Sequence, residues 1–417
     1  MAFQQGLSGL NAAARHLDTI GHNVANASTV GFKASRAEFA DVYATTVYGV
    51  SNVSPGIGTE VGAIAQQFSQ GALTTTNNSL DLGINGGGFF RMSDNSGAIT
   101  YTREGQFKLD KSGYIVNASG KRLTGYPVDK NGVVTNGTAQ DLKLDSTDIA
   151  PKQTTAAAVR VNVDARATTP VNNFTLTDAK TYDGGTSVSV FDSLGREHVM
   201  AMYFRKTGDN SWEVHGTLDG EPLNGGAAVG KLAFNPNGTL KGATDGAGDP
   251  TNTDAKAFDV SLNMGADAGG NHTVSVNFAD TTQFGTNFTV AHQEQNGNGS
   301  GKLAGFSVGR DGSLMARYTN GQTVSKGRVA LANFTNPQGL QPLGGNQWGE
   351  TADSGAPLVG SPSTGTLGVI QSGALESSNV DLTQELVNMI TAQRVYQANA
   401  QTVRTHDQLL QTIVNLR

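Results

Sequence analysis

Cysteine is absent from this chain of 417 residues. Its absence excludes nucleophilic thiol chemistry, a disulfide scaffold and a cysteine-rich zinc site. No run approaches the ~18 consecutive apolar residues that a membrane-spanning helix needs, so we do not expect membrane insertion. Charge is also sparse. Charged residues make up 15% of the chain and the formal net charge is -6, so the basic excess that a nucleic-acid partner favours is missing.

The N-terminus, MAFQQGLSGL, has neither a basic segment nor a continuous apolar segment. A cleaved signal peptide requires both. If the protein leaves the cell, we therefore expect export without a cleaved signal peptide.

Proline and glycine are unevenly distributed. All eleven prolines lie between Pro55 and Pro362, so both ends of the chain lack the residue that interrupts helices. Residues 374–417 contain none of the 54 glycines. These absences predict a helix at each end of the chain and a long insertion between the two helices.

Apolar and small side chains recur at both ends with heptad-like spacing. The gaps are 4, 3, 7, 7, 7 and 4 residues at the C-terminal end, and they alternate between 4 and 3 over the first 24 residues. Such spacing is typical of helices that pack side by side. The predicted subunit-assembly residues, here called the heptad residues, are Phe3, Leu7, Leu10, Leu17, Val24, Leu382, Leu386, Met389, Tyr396, Val403, Leu410 and Val414.

The predicted helices differ in length and character. A C-terminal helix of about 35 residues would span roughly 50 Å, far more than an N-terminal helix of about 23 residues. Its polar face carries mostly uncharged amides, and Asn379 or Asp381 can cap its start. The surplus length favours contacts with other subunits, whereas a two-helix hairpin within one molecule is the alternative. Gly6, Gly9 and Gly21 each cost about 1 kcal/mol relative to alanine in the N-terminal helix, but they allow close helix packing.

The insertion has a β pattern. Short apolar runs end in turns with Asp or Asn three residues before Gly, as at 110–113, 129–132, 192–195 and 235–238. Residues 51–62 are predicted to form a loop, and the stretch that begins at Ala150 is linker-like before it alternates. The strands predicted in the second half of the insertion are 186–191, 198–204, 212–218, 258–262, 273–278 and 287–291.

The fold class that follows is α+β, with long N- and C-terminal helices that pair as a coiled-coil-like inner domain and with β-rich outer domains inserted between them. The length suggests two to four domains. We predict a helical domain from 1–30 plus 374–417, a linker with an extended segment at 31–72, a discontinuous β-rich middle domain from 73–145 plus 301–373, and a β-rich outer domain at 146–300.

Motifs for catalysis are missing from the sequence. Gly86, Gly87 and Gly88 are not followed by the lysine of a phosphate-binding loop, and none of the seven histidines shows HxxxH or HxH spacing. Residues 192–197 match a calcium loop only in fragments. We therefore expect no catalytic residue, no cofactor, no metal site and no enzymatic activity.

Three stretches together resemble the rod–hook axial protein family of the bacterial flagellum. They are SGLNAA at 8–13 with NVAN at 23–26 and TVGFK at 29–33, LDLGINGGGFF at 80–90 with YTREGQF at 101–107, and GALESSNVDL at 373–382 with QRVYQANA at 393–400. Residues 329–334, 336–340 and 348–351 are similar to hook proteins in particular. The resemblance covers roughly 1–145 and 282–417, and it is weak over 146–281.

The resemblance implies a structural subunit that polymerises into a curved hollow tube, links rod to filament and transmits torque as a universal joint. It implies a homopolymer that also meets rod protein, hook cap and hook–filament junction proteins, and that passes through the flagellar export apparatus. Its place would be the extracellular hook on the flagellar basal body. A distal rod protein of the same family is the alternative, and a secreted β-rich adhesin is a more remote one.

Overall fold

A computed structural model describes residues 2–42, 56–129, 133–135, 137–144, 147–265, 267 and 270–415. In chain order, its helices and strands are α1 (Ala2–Ala25), β1 (Ser35–Val42), β2 (Gly58–Gln66), β3 (Leu73–Thr75), β4 (Leu82–Asn85), β5 (Phe89–Ser93), β6 (Ile99–Thr102), β7 (Lys108–Leu109), β8 (Ile115–Val116), β9 (Arg122–Tyr126), β10 (Gln140–Asp141), β11 (Ala156–Asp164), β12 (Gly184–Phe191), β13 (Glu197–Gly208), β14 (Ser211–Leu218), β15 (Glu221–Pro222), β16 (Gly230–Phe234), β17 (Leu240–Asp245), β18 (Ala257–Asn263), β19 (Asn271–Asn277), β20 (Thr282–Phe284), β21 (Thr289–Gln295), β22 (Leu303–Val308), β23 (Ser313–Tyr318), β24 (Thr323–Val329), β25 (Leu331–Asn333), β26 (Gln341–Gly344), β27 (Gln347–Gly349), β28 (Leu358–Gly360), β29 (Val369–Ser372), β30 (Ala374–Glu376) and α2 (Leu382–Asn415).

The chain divides into two compact units. One, here the helix-bearing unit, comprises Met1–Ser146, Gly305–Arg317 and Thr323–Arg417. The other, the inserted unit, comprises Thr147–Ala304 and Tyr318–Gln322. The described residues are mostly β, with one long helix near each end, as the sequence predicts.

Both terminal helices form where the sequence places them. α1 covers Ala2–Ala25, and α2 runs for 34 residues, which corresponds to about 50 Å. The carboxylate of Asp381 accepts hydrogen bonds from the backbone N–H groups of Thr383 (2.9 Å) and Gln384 (3.2 Å). It therefore satisfies two of the four N–H groups that a helix start leaves without a partner.

Strands β1 and β2 form an antiparallel hairpin that packs on α1. Ser35 pairs with Gln66 at one end and Val42 with Gly58 at the other. The prediction of a loop over 51–62 is therefore wrong for residues 58–62, while 51–55 lie outside the described residues. Three glycines between 56 and 62 masked a strand whose partner lies 16 or more residues earlier in the chain.

The rest of the helix-bearing unit is β structure around two apolar clusters. Its largest sheet contains the path β22-β23-β24-β9-β5-β6-β27-β26. One cluster includes Phe90, Met92, Leu123, Leu331 and Ile370, all fully buried, and the other is aromatic. The C-terminal segment returns to this body, because β29 pairs with β4 and β30 with β3. Residues 374–376, at the start of the glycine-free segment, are thus a strand that precedes α2.

The inserted unit has two sheets and a single large core. One sheet has the order β12-β13-β14-β16-β17, and β11 is a central strand of the other, beside β19, β20 and β21. The predicted strands in this region are confirmed, with ends that differ by a few residues. β11 begins inside the stretch interpreted as a linker. Its first three residues are alanines, which hide the start of a strand whose buried residues Val159, Val161 and Val163 alternate.

The predicted Asx–Gly turns are confirmed at three positions. The N–H of Gly113 donates to the carbonyl of Asp110 (3.1 Å), and the turns ending at Gly195 and Gly238 repeat this bond. All three glycines have φ near +80°, a conformation that side chains with a Cβ rarely adopt. The fourth turn, at 129–132, ends outside the described residues.

Candidate functional site

The two terminal helices meet through small and polar residues. A Cβ atom at Gly6 would lie 3.0 Å from Cγ2 of Val403, and one at Gly9 would lie 2.9 Å from the side-chain amide of Asn399. Ala392 is buried in the same contact region. Glycine and alanine therefore allow close approach of these helices, as their positions in the sequence suggested.

Six of the eleven heptad residues with a described side chain are exposed, and the other five are half-buried. Phe3 and Leu7 are each 45% exposed and Leu386 is 51% exposed, and none of the heptad residues with a described side chain is fully buried. Of these, Val403 reaches the opposite helix, whereas the side chain of Val414 lies outside the described part. Packing of the two heptad patterns against each other therefore stays a prediction. The buried residues of α1 include Gly6, Ala13, Ile20 and Asn23, which lie outside the heptad pattern.

More apolar side chains of α2 are exposed than the heptad pattern includes. Val387, Ile390, Val395 and Leu409 are each about half exposed. A solvated helix normally presents polar and charged residues on the face away from its core. Within the described residues, α2 thus presents an apolar surface to which this chain supplies no partner.

Asn23 connects α1 to the hairpin and to α2. Its side chain is buried, donates to the Ser35 carbonyl and accepts from the Ser35 N–H, both at 2.8 Å. The same amide nitrogen lies 3.3 Å from the Glu385 carboxylate on α2. One amide therefore fixes the position of three elements.

Asn379 has the corresponding role at the start of α2. Its side-chain oxygen accepts from the N–H of Ala34 (2.7 Å), and its amide nitrogen donates to the carbonyl of Gln67 (2.7 Å). Of the two residues predicted to cap the helix, Asp381 does so, while Asn379 holds the segments on either side of the hairpin.

Below these amides lies a buried triad of charged residues: Lys33, Arg103 and Glu376. Glu376 is fully buried, and its carboxylate receives Nζ of Lys33 at 2.6 Å and a guanidinium nitrogen of Arg103 at 3.0 Å. It also accepts the N–H of Gly71 at 2.9 Å. The three side chains come from the segment after α1, the loop after β6 and strand β30. The triad therefore joins both helix-bearing ends of the chain to the β body.

Burial sets the electrostatics of the triad. It lowers the pKa of Lys33 below the ordinary range of a lysine, and the nearby Glu376 carboxylate opposes that shift. Burial likewise lowers the pKa of the Arg103 guanidinium, again against the attraction of Glu376. The Glu376 carboxylate replaces part of the hydration that each cation loses. The carbonyl of Ser69 does the same for Lys33, and the carbonyl of Gly86 for Arg103. Removal of one member would leave a buried charge without its partner, which is costly.

Sequence reasoning did not single out the triad. Lys33, Arg103 and Glu376 stand within the stretches that resemble the rod–hook family, but their meeting depends on contacts that span up to 343 residues. A local signal exists, since Lys33 follows Gly31-Phe32 and Glu376 follows Ala374-Leu375, so each charge sits beside buried residues. That signal predicts that each charged side chain is buried, but it does not predict which residue pairs with it.

Replacing Gly31 by alanine is expected to loosen this region. Gly31 has φ of +68°, its N–H donates to the carbonyl of Glu376 (2.8 Å), and a Cβ there would lie 2.5 Å from the backbone nitrogen of Glu104. A clash with backbone adds to conformational strain, so we expect a loss of roughly 2–3 kcal/mol in the free energy of unfolding. Thermal unfolding followed by Trp348 fluorescence measures it.

Gly97→Ala is the matched control. Gly97 has φ of +86°, and a Cβ there would have no heavy atom within 4 Å. It therefore carries the left-handed strain alone, of about 1 kcal/mol. Equal losses in the two variants would contradict the close approach at Gly31.

The described residues hold no other obvious chemical centre. No group of three or more His, Asp and Glu among them is arranged to hold a metal ion. No helix in the described ranges combines the length and apolarity of a membrane span. The candidate functional site is therefore the helix pair, its exposed apolar faces and the buried polar contacts at its base.

Four family models match successive parts of the chain. Flagella basal body rod protein matches residues 3–33, and Flagellar hook protein FlgE/F/G D1 domain matches 83–168. Flagellar basal body protein FlaE D2 domain matches 162–298, and Flagellar basal body rod FlgEFG protein C-terminal matches 371–416. The matches include most of α1 and α2 and much of the insertion.

Full-length relatives agree with these models. The chain is 42% identical to flagellar hook protein FlgE of Escherichia coli K12 and 40% identical to that of Salmonella typhimurium, over 100% of each chain. It is 30% identical to flagellar hook protein FlgE of Borreliella burgdorferi, over 99% of this chain and 98% of that protein.

A solved structure shares the fold. The crystal structure of Helicobacter pylori flagellar hook protein FlgE2 matches with a TM-score of 0.55 at 14% identity, over 73% of this chain and 100% of that chain. With hook proteins at 30–42% identity over its whole length, this chain belongs to the flagellar hook protein family.

Proposed function

We propose that the chain is the structural subunit of a flagellar hook, a curved hollow tube that links rod to filament and transmits torque as a universal joint. The observation that carries this is the exposure of apolar side chains along both terminal helices, at Phe3, Leu7, Leu386 and Leu410 among others. A monomer gains nothing from such a surface, whereas a polymer buries it between subunits.

The helix pair would form the inner wall of this tube. We propose that α1 and α2 act as a coiled-coil-like inner domain, that the heptad residues are its subunit-assembly residues, and that the β-rich parts form the outer shell. The small-residue contact near Gly6 and Gly9 holds the pair together and leaves the larger apolar side chains free for neighbouring subunits. The amide-rich polar face of α2 suits a wall along which other exported chains pass without binding.

The further partners follow from the same role. We propose that the chain meets the rod protein, the hook cap and the hook–filament junction proteins at the ends of the tube, and that it reaches the cell exterior through the flagellar export apparatus without a cleaved signal peptide. Its action is structural, with no catalysed reaction.

Truncation after Asn379 tests this proposal. The shortened chain keeps Glu376, Asn379 and every strand, but it loses all of α2. We expect electron microscopy under polymerising conditions to show tubes of the full chain and none of the truncated chain. Thermal unfolding followed by Trp348 of the helix-bearing unit, in a Trp212→Phe background, checks that the variant folds. Normal tubes from the folded truncated chain would refute the proposal.

A further inference from the structure

A shallow groove lies where α1, α2 and the β1–β2 hairpin meet. Its floor consists of small residues, Gly9, Ala12, Ala13 and Ala392, and exposed Phe39 and Val395 form its edges. Its volume is about 460 Å³, which is larger than one or two leucine side chains require. We call it the small-residue groove.

None of the side chains that line the groove is a lysine, arginine, aspartate or glutamate, and all of them belong to the described residues. The polar groups at its edge are those of Gln5, His16, Thr59, Thr391 and Asn399. An apolar side chain that enters the groove therefore displaces water without stripping a formal charge of its hydration. The chemistry of the groove fits an aliphatic occupant.

A ridge of aliphatic side chains lies on the other face of α2. Leu382, Leu386 and Ile390 follow one another at four-residue spacing, and each is about half exposed. Leu386 precedes Val395 by nine residues, as Ile390 precedes Asn399, and nine residues are 2.5 turns of an α-helix. The ridge therefore points away from the groove of its own chain.

We propose that the small-residue groove of one subunit receives the Leu382–Leu386–Ile390 ridge of a second copy of this chain. This rests on the proposed function, because membership in the hook family supplies the second copy. Groove and ridge are different surfaces, so the contact is heterologous and each subunit that docks presents a fresh ridge or groove to the next. Such a contact propagates into an open helical assembly, as a tube requires.

The exposed pair Phe3 and Leu7 on α1 is the competing occupant. It offers two successive turns at the start of the chain, whereas the α2 ridge offers three turns that begin directly after the Asp381 cap. The longer ridge matches the length of the groove, whose α2 edge extends from Thr391 to Asn399.

The absence of cysteine makes the contact measurable by crosslinking. The variant with both Val395→Cys and Leu386→Cys is polymerised and oxidised. Within one chain these positions are about 13.5 Å apart along the helix axis, too far for a disulfide. We therefore expect a ladder of covalently linked subunits from the double variant on a non-reducing gel, monomer from either single variant, and dimers from a one-to-one mixture of the two single variants.

Two further pairs control the register. Val387 is as exposed as Leu386 and next to it in the chain, but it lies about 100° around the helix. The pair Val387→Cys with Val395→Cys should remain monomeric after oxidation. A ladder from that pair, or from Leu7→Cys with Val395→Cys in place of the proposed pair, would overturn the assignment of the ridge.

The outcome separates this inference from the function on which it rests. Failure of the unsubstituted chain to form tubes contradicts the proposed function and the docking contact together. Tubes that form from the double variant and yield only monomer after oxidation contradict the docking contact alone. If the double variant does not form tubes, the single variants copolymerised with each other decide the matter, since absence of a dimer band from their tubes contradicts the contact.

Discussion

Glu376→Gln is expected to destabilise the helix-bearing unit by about 3–5 kcal/mol, because it leaves two buried cations without their shared anion. Lys33 and Arg103 both point at the Glu376 carboxylate, at 2.6 and 3.0 Å. Glutamine retains one oxygen and the shape of the side chain, but its amide group adds a donor among donors. The loss in the free energy of unfolding therefore measures what the negative charge of Glu376 contributes, since the packing hardly changes.

The measurement is thermal or denaturant unfolding followed by Trp348. This tryptophan is buried in the aromatic cluster of the helix-bearing unit, next to Phe89, over whose ring the Arg103 guanidinium lies at 5.3 Å. Its emission therefore reports on the region that the substitution affects. Trp212→Phe in the background removes the only other tryptophan.

Asp18→Asn is the matched control. Asp18 faces Arg15 on α1 at 4.0 Å, and both side chains are more than 70% exposed. Surface ion pairs contribute about 0–1 kcal/mol, so this variant should unfold close to the unsubstituted protein. If Glu376→Gln unfolded at the same temperature as Asp18→Asn, the triad would not be what stabilises the junction between the chain ends and the β body.

A neutral triad separates charge from packing. Replacing Lys33 by methionine, Arg103 by leucine and Glu376 by leucine removes all three charges at once, and well-packed apolar replacements of buried ion pairs are often neutral in stability. We expect this triple variant to be more stable than Glu376→Gln. Lower stability in the triple variant would indicate that the backbone contacts of these side chains, rather than their charges, determine the effect.

The triad also shows where sequence reasoning ends. The helices, the Asx–Gly turns and most strands of the inserted unit could be predicted, because each depends on residues within a few positions of one another. Lys33 and Glu376 meet across 343 residues through two strand pairings, and no local pattern encodes that meeting. Long-range polar contacts of this kind can be recognised only once the tertiary fold is known.

The face of α1 that packs within the chain was missed for a different reason. A hydrophobic pattern registers large apolar residues, and it therefore followed Phe3, Leu7 and Leu10. Apart from Ile20, the buried face consists mostly of residues that such a pattern scores as weak, among them Gly6, Ala12, Ala13 and Asn23. In a subunit whose large apolar side chains bind other subunits, the pattern of large apolar residues predicts the exposed surface. The pattern of small residues predicts the contact within the chain.

Phe204→Ala is expected to destabilise the inserted unit by about 3–5 kcal/mol and to leave tube formation intact. Phe204 is fully buried in the core of that unit, with the rings of Phe288 and Phe278 at 5.6 and 6.2 Å. Its removal leaves a cavity that a sheet core fills poorly. Trp212 is buried in the same core and reports the loss as a lower unfolding temperature. Trp348→Phe in the background removes the fluorescence of the helix-bearing unit.

The second half of this expectation follows from the separation of the cores. Phe204 belongs to a cluster formed only by residues of the inserted unit, while α1, α2, the small-residue groove and the triad all belong to the helix-bearing unit. The Trp348 transition in a Trp212→Phe background should therefore not shift when Phe204→Ala is added, and electron microscopy should still show tubes. Altered curvature of those tubes would assign the inserted unit a role in shape, whereas loss of tubes with an unshifted Trp348 transition would show that assembly depends on the inserted unit as well as on the helices.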